Sequence, residues 1–178
     1  LRWRVEKAGF VTRTSGLNQW GPFHLQLHRE DEQPPGMVHV PGGTATIYDE
    51  SLQRGPVREI TNFWIDRFET TNAEYRVFLQ SEAYRADELW QPLIAELGLQ
   101  QPAETVVSSF VDPTGQPGPA DWALSTFPQG RDRHPVRGIS WLEAAAYCRF
   151  RGKDLPTAFH FSKAGAQESL PERFYGGE

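Results

Sequence analysis

The side chains able to carry chemistry are few and scattered. Of the five histidines, His24 and His28 stand four apart, which on a helix would suit a metal ion. Their surroundings alternate apolar and polar with period 2, as a strand does, and four strand residues span roughly 13 Å. The two cannot share one ion, and both read as solvent-facing polar residues. His39, His134 and His160 are isolated in sequence, so one becomes a ligand only if the fold brings partners to it. No His-Glu-x-x-His pair occurs. Cys148 is the single cysteine, which excludes an internal disulfide and a cysteine-based zinc site. It reads as a buried structural thiol, because catalysis would need a neighbouring base or positive field. Asp66 and Glu69 precede a helix start. They are either paired acids or carboxylates satisfying backbone N–H groups at that start. Pro41-Gly42-Gly43-Thr44 and Arg151-Gly152-Lys153 lack the spacing of a phosphate loop and read as turns, and no Gly-x-Ser-x-Gly elbow occurs. On this reading no catalytic residue, cofactor-binding residue or metal ligand is assigned.

The elements that must position these groups are a mixture of short strands and helices. Residues 1–30 read as a β segment, the end of a small β module, with Lys7-Ala8-Gly9 as a turn, Thr14-Ser15-Gly16-Leu17-Asn18 as a loop, and Phe23, Leu25 and Leu27 alternating along a strand. Residues 31–36, charged and then proline-rich, form a linker. Met37-Val38-His39-Val40 is a short strand with residues 44–48 as its hairpin partner, and residues 57–65 make a further strand. Thr71-x-x-Glu74 and Ser140-x-x-Glu143 are capping boxes that open helices carrying Tyr75, Phe78 and Leu79, and Ala144 to Phe150. A helix is expected over residues 88–99 with Gly98 near its end, and another after Pro156 with Thr157 as N-cap. Residues 111–138 carry so many prolines and glycines that they read as one long irregular connection. Trp122 and Phe127 are expected to fold it back onto the body.

Composition narrows the classes further. The 178 residues hold 18 Lys+Arg against 23 Asp+Glu, a net charge of −5, which argues against nucleic acid or an anionic membrane surface as the main partner. No apolar run approaches the ~18 residues of a spanning helix, so no membrane insertion is expected within this segment. Sixteen Gly and fourteen Pro announce many turns, and 12% aromatic residues announce a folded core. A single thiol leaves the redox compartment open.

The ordered motifs resemble a known family. Met37-Val38-His39-Val40-Pro41-Gly42-Gly43-Thr44 is similar to the opening "MVxVPGGxF" of the formylglycine-generating enzyme (sulfatase-modifying factor) family. Phe63-Trp64-Ile65-Asp66-Arg67-Phe68-Glu69-Thr70-Thr71-Asn72-Ala73-Glu74-Tyr75 resembles its "FxIDxYEVTNxEY" block. His134-Pro135-Val136, Gly138-Ile139-Ser140-Trp141, Glu143-Ala144, Ala146-Tyr147-Cys148 and Gly152-Lys153-Asp154-Leu155-Pro156-Thr157 resemble "HPVxxVSWxdAxxYCxWxGKxLPTEAEW". The resemblance implies an α+β, C-type-lectin-like fold, with residues 37–178 as the N-terminal part of such a domain. It makes Asp66, Glu69, Asn72, Ser140, Trp141, Gly152, Lys153, Pro156 and Thr157 family-motif positions of structural character. Family members include copper-dependent oxidases that convert a sulfatase cysteine to formylglycine, iron-dependent sulfoxide-forming enzymes of ergothioneine synthesis, and ligand binders.

Departures from the pattern shape the expected function. The family's metal-binding cysteine pair and calcium loops belong to its C-terminal half, so no cofactor is expected in this chain, and the copper and calcium sites would lie beyond Glu178. Thr157-Ala158-Phe159-His160-Phe161 replaces the usual Thr-Glu-Ala-Glu-Trp. With residues 114–122 and Arg4-Val5-Glu6-Lys7-Ala8-Gly9-Phe10, this resembles a sub-branch fused to bacterial Ser/Thr protein kinases. Two functions are expected from the resemblance: a non-catalytic sensor or interaction domain that takes a protein or peptide ligand or the remaining domains of a longer chain, or the front half of a metal-dependent oxidase. If the chain is such a front half, Tyr75, Phe78, Trp141 and Tyr147 should be bare.

Overall fold

The computed structural model describes residues 2–16, 27–47 and 55–165. It divides into two units, Leu1–Phe68 with Pro156–Glu178, and Glu69–Leu155. Helices and strands are mixed, as the alternating patterns predict.

The first unit carries the strands. β1 (Arg2–Val5) pairs antiparallel with β2 (Arg13–Gly16), Val5 opposite Arg13, so the loop expected at Thr14-Ser15-Gly16 is the start of a ladder. The turn at Lys7-Ala8-Gly9 forms, with Gly9 at φ 76° and the Phe10 N–H donating to the Lys7 carbonyl at 3.0 Å. The strand expected around Phe23 and Leu25, and His24 with it, lies outside the described residues. At the junction of the expected β segment and linker, residues Glu30–Glu32 wind into a 3₁₀ turn.

Strand pairing differs from the sequence reading. β3 (Met37–Val40) does not fold back onto β4 (Gly43–Thr46). β3 pairs with β6 (Phe63–Asp66), Met37 opposite Asp66, while β4 pairs with β5 (Val57–Ile60), Gly43 opposite Ile60. Both ladders keep one register. Residues 37–46 are therefore one arm, and residues 57–66 the other, of a single long hairpin broken at Pro41-Gly42 and Thr61-Asn62. Proline cannot donate to a ladder. Gly42 instead donates its N–H to the Asn62 side chain at 2.8 Å. A Cβ at Gly42 would stand 2.4 Å from the Ile60 carbonyl oxygen, so only glycine permits the close approach. α5 (Ala158–Gly165) lies on β4 and β5. Lys163 donates to the Thr44 carbonyl at 3.1 Å, and Phe63 meets His160 edge-on. As expected, Thr157 opens α5, its hydroxyl accepting the His160 N–H at 3.4 Å.

The second unit is helical. α1 (Asn72–Gln80), α2 (Asp87–Glu96), α3 (Ala103–Val107) and α4 (Trp141–Phe150) surround one core. Three of them bury the same i, i+3, i+4 stripe: Tyr75, Phe78 and Leu79; Trp90, Leu93 and Ile94; Leu142, Ala145 and Ala146. Each large side chain contributes about 1.5–3 kcal/mol by leaving water. Both capping boxes form, at Thr71 with Glu74 and at Ser140 with Glu143. Gly98, at φ 72°, follows α2 in the left-handed conformation expected of a helix end.

The aromatic groups expected to be bare are mostly enclosed. Tyr75 and Phe78 are 0% exposed and Tyr147 is 7% exposed, while Trp141 is 50% exposed. Tyr75 packs against Phe78, Trp122 and Tyr147 at ring-centroid distances of 5.6, 6.2 and 5.7 Å. Their own neighbours cover them because the apolar stripes of α1 and α4 face the same core.

Candidate functional site

Glu143 is the chemically unusual group of the helical unit. Its place in the capping box turns the carboxylate inward: the Ser140 N–H donates to Oε2 at 2.7 Å, and the Glu143 N–H donates to Ser140 Oγ at 3.2 Å. The Tyr75 hydroxyl donates to Oε1 at 3.3 Å. Glu143 is 4% exposed, and burial pushes its carboxyl above the ordinary range against the pull of the Ser140 and Tyr75 hydrogen bonds. Burial, with the charge of Glu143, also pushes the Tyr75 and Tyr84 hydroxyls upward. The Tyr84 hydroxyl is buried without a hydrogen-bond partner among the described residues. This arrangement can store a proton, but it presents no reactive atom to a substrate. The capping pattern marks Glu143 in the sequence, whereas its burial depends on Tyr75, 68 residues away.

A pH dependence follows. The folded state holds the Glu143 proton more tightly than the unfolded chain does, so the associated stability is present below the ordinary glutamate value and is lost as pH rises through the raised one. Glu143→Gln keeps the capping box and never ionises. From pH 4 to 7 the denaturation midpoint of the native chain should fall relative to that of the variant. Parallel profiles would contradict the assignment.

The long connection between α3 and α4 is held by two polar knots. Asn72 donates from Nδ2 to the Arg131 carbonyl at 2.8 Å, and its Oδ1 accepts the Trp122 indole N–H at 3.0 Å. Asp112 accepts the Thr114, Gln116 and Ser125 N–H groups at 2.8, 3.2 and 2.8 Å, together with the Thr114 hydroxyl. Trp122 is 3% exposed and meets Phe127 edge-on, so the connection does fold back as its aromatics predict. Asp112-Pro113-Thr114-Gly115 is a local turn signal for the Thr114 and Gln116 bonds, whereas the bond to Ser125 lies 13 residues away.

The family-motif positions fall in both units. In the first, Asp66 stands half-buried on β6, and Pro156 and Thr157 lead into α5. In the second, Glu69 is exposed and does not cap α1. The N–H groups there go elsewhere: that of Thr71 to Glu74, that of Glu74 to the Thr71 hydroxyl, and those of Asn72 and Ala73 to the His134 and Asp132 carbonyls at 2.9 Å each. The reading of Glu69 as a carboxylate serving the α1 N–H groups is thereby corrected, because the loop at residues 132–134 and the capping box take those donors. Gly152, at φ 66°, closes α4, and the Lys153 N–H donates to the Cys148 carbonyl at 2.8 Å. Arg151 donates to the Tyr147 hydroxyl at 2.8 Å and lies 3.9 Å from Glu74. That pair is solvent-exposed and contributes little.

One sequence reading of the histidines is overturned. His28 does not face solvent. Its ring lies 3.7 Å, centroid to centroid, from that of His39, and its Nε2 is buried. Among the described residues no three His, Cys, Asp or Glu side chains stand together so as to hold a metal ion, and no helix is long and apolar enough to cross a membrane.

The model of the sulfatase-modifying factor enzyme 1-like domain matches residues 23–178. The chain belongs to this formylglycine-generating enzyme family. Over 137 residues it is 30% identical to a formylglycine-generating enzyme of Mus musculus, covering 68% of this chain and 37% of that protein. It is 33% identical over 153 residues to the inactive Cα-formylglycine-generating enzyme 2 of Mus musculus, covering 75% and 47%. It is 30% identical over 139 residues to a hercynine oxygenase of Mycolicibacterium smegmatis, covering 76% and 31%. The chain thus spans less than half the length of these relatives. In this sulfatase-modifying-factor segment, the motif residues have structural tasks: Asn72 joins loops, Ser140 opens α4 and Gly152 closes it.

Proposed function

We propose that this segment serves as a non-catalytic sensor or interaction domain of a larger bacterial signalling protein, on a C-type-lectin-like version of the family fold. The observation that carries the reading is the engagement of Asn72 and Glu143, 7% and 4% exposed, in internal hydrogen bonds. The 33% identity to a relative whose name marks it as inactive supports the same reading. The partner would be a protein or peptide, or other domains of a longer chain, among which the resemblance of residues 114–122 and 157–161 favours a Ser/Thr kinase. No cofactor is assigned to these residues.

A second reading is the front half of a metal-dependent oxidase, favoured by the 30% identity to a formylglycine-generating enzyme. Sequencing the gene past the codon for Glu178 separates the two. The sensor reading expects no closely spaced cysteine pair in the remainder of the domain. Finding such a pair would favour the oxidase, with copper and calcium bound by residues after Glu178.

A further inference from the structure

The first unit holds a histidine pair with no role in the family motifs. His39 lies on β3 opposite Trp64 of β6. His28 precedes the 3₁₀ turn, and its carbonyl accepts the Val11 N–H at 2.8 Å, while the Glu30 N–H donates to the Gly9 carbonyl at 3.1 Å. The two imidazoles stack at 3.7 Å with their planes 41° apart. Trp64 meets both edge-on, at 5.5 Å from His28 and 5.1 Å from His39. His28 Nε2 and His39 Nδ1 are buried, and neither has a hydrogen-bond partner among the described residues. A buried nitrogen without an acceptor has nothing to stabilise an added proton.

Two of the charged groups near the stack oppose protonation of His39. Arg13 on β2 is partly buried and acts on His39 as a like charge, as His28 does when protonated. From β6 the stack receives Trp64. Asp66, two residues on and on the same face of that strand, has interactions of its own. A cation seat is the poorer reading of the pair, because the Arg13 guanidinium already places positive charge beside it.

We propose that the His28–His39 stack, closed by Trp64, is a proton-operated clasp that fastens residues 27–30 and the turn at Gly9 to the long hairpin and releases them as pH falls. Burial, with His28 and Arg13, lowers the His39 value from the ordinary 6.5 to about 4. The released ring titrates as a free imidazole. The ratio of open to closed clasp should therefore rise about tenfold per pH unit below 6.5, on the order of a hundredfold by pH 4. The sign is fixed: a lowered histidine value gives stability at neutral pH that is lost on acidification.

The test is an NMR titration of the full chain from pH 7.5 to 3.5, following the His39 ring and the amides of Val11 and Glu30. The clasp requires a His39 midpoint near 4, with both amides leaving their bonded positions in the same step while the amides of α1 hold theirs. His39→Phe keeps an aromatic ring that cannot charge, so its Val11 and Glu30 amides should stay in place across the range. A His39 midpoint near 6.5 would overturn the proposal. So would a His39→Phe variant that opens as the native chain does, or movement of Val11 and Glu30 only together with α1.

Discussion

Asn72→Ala should lower stability by about 2–4 kcal/mol, one of the two largest effects expected of any small substitution in this segment. The side chain is 7% exposed and joins three parts of the chain: α1, Arg131 in the loop, and the indole of Trp122. Truncation leaves a buried indole N–H without its acceptor and removes the donor to the Arg131 carbonyl. Each buried polar group left unsatisfied costs about 1–3 kcal/mol. A double-mutant cycle isolates the link. In a Trp122→Phe background, which has no indole N–H to orphan, the cost of Asn72→Ala should shrink by about 1 kcal/mol. Urea denaturation of the four proteins checks this, and equal costs in both backgrounds would mean that the Asn72–Trp122 bond contributes nothing.

The second large effect belongs to Gly138→Ala. Gly138 has φ 71°, which already costs a residue with a Cβ about 1 kcal/mol. A Cβ there would meet backbone as well: the Asp121 nitrogen at 2.7 Å and the Ala120 nitrogen at 3.0 Å. The Gly138 carbonyl accepts the Ala120 N–H at 2.7 Å, so neither strand of the loop can withdraw without losing that bond. Strain and overpacking together should cost about 3 kcal/mol. Gly152→Ala is the internal control, since Gly152 has nearly the same φ, 66°, with open space where its Cβ would stand. It should lose about 1 kcal/mol. A Gly138 variant no less stable than the Gly152 one would show that the close approach of residues 120–121 is wrong.

What the sequence made legible follows the range of the interactions. The capping boxes at Thr71 and Ser140 are local, spanning four residues each, and their side chains do in the structure what their spacing implies. The stripes of α1, α2 and α4 are equally local and identify the core. The pairing of β3 was misread because the adjacent apolar segment is an obvious partner on grounds of proximity. The true partner, β6, is recognisable only when Pro41-Gly42 and Thr61-Asn62 are seen as facing breaks in one hairpin. Glu69 misleads for a related reason. A carboxylate before a helix is a natural cap, yet the α1 donors were taken by carbonyls some sixty residues away, at Asp132 and His134. The burial of Glu143 arises the same way, from Tyr75, 68 residues away, and the stacking of His28 on His39 depends on how the turn and the hairpin meet. The motifs point to the family; the functional reading rests on fewer residues, chiefly Asn72 and Glu143.

That reading meets its most direct test in a single assay. The protein, expressed at its full length, is loaded with copper and incubated under air with a cysteine-containing peptide derived from a sulfatase. Formylglycine is then sought as a peptide aldehyde by mass spectrometry against a no-enzyme control. A sensor or interaction domain predicts peptide recovered with its cysteine intact at every copper concentration. Aldehyde above the control, growing with protein concentration, would contradict it and establish the oxidase reading in its place.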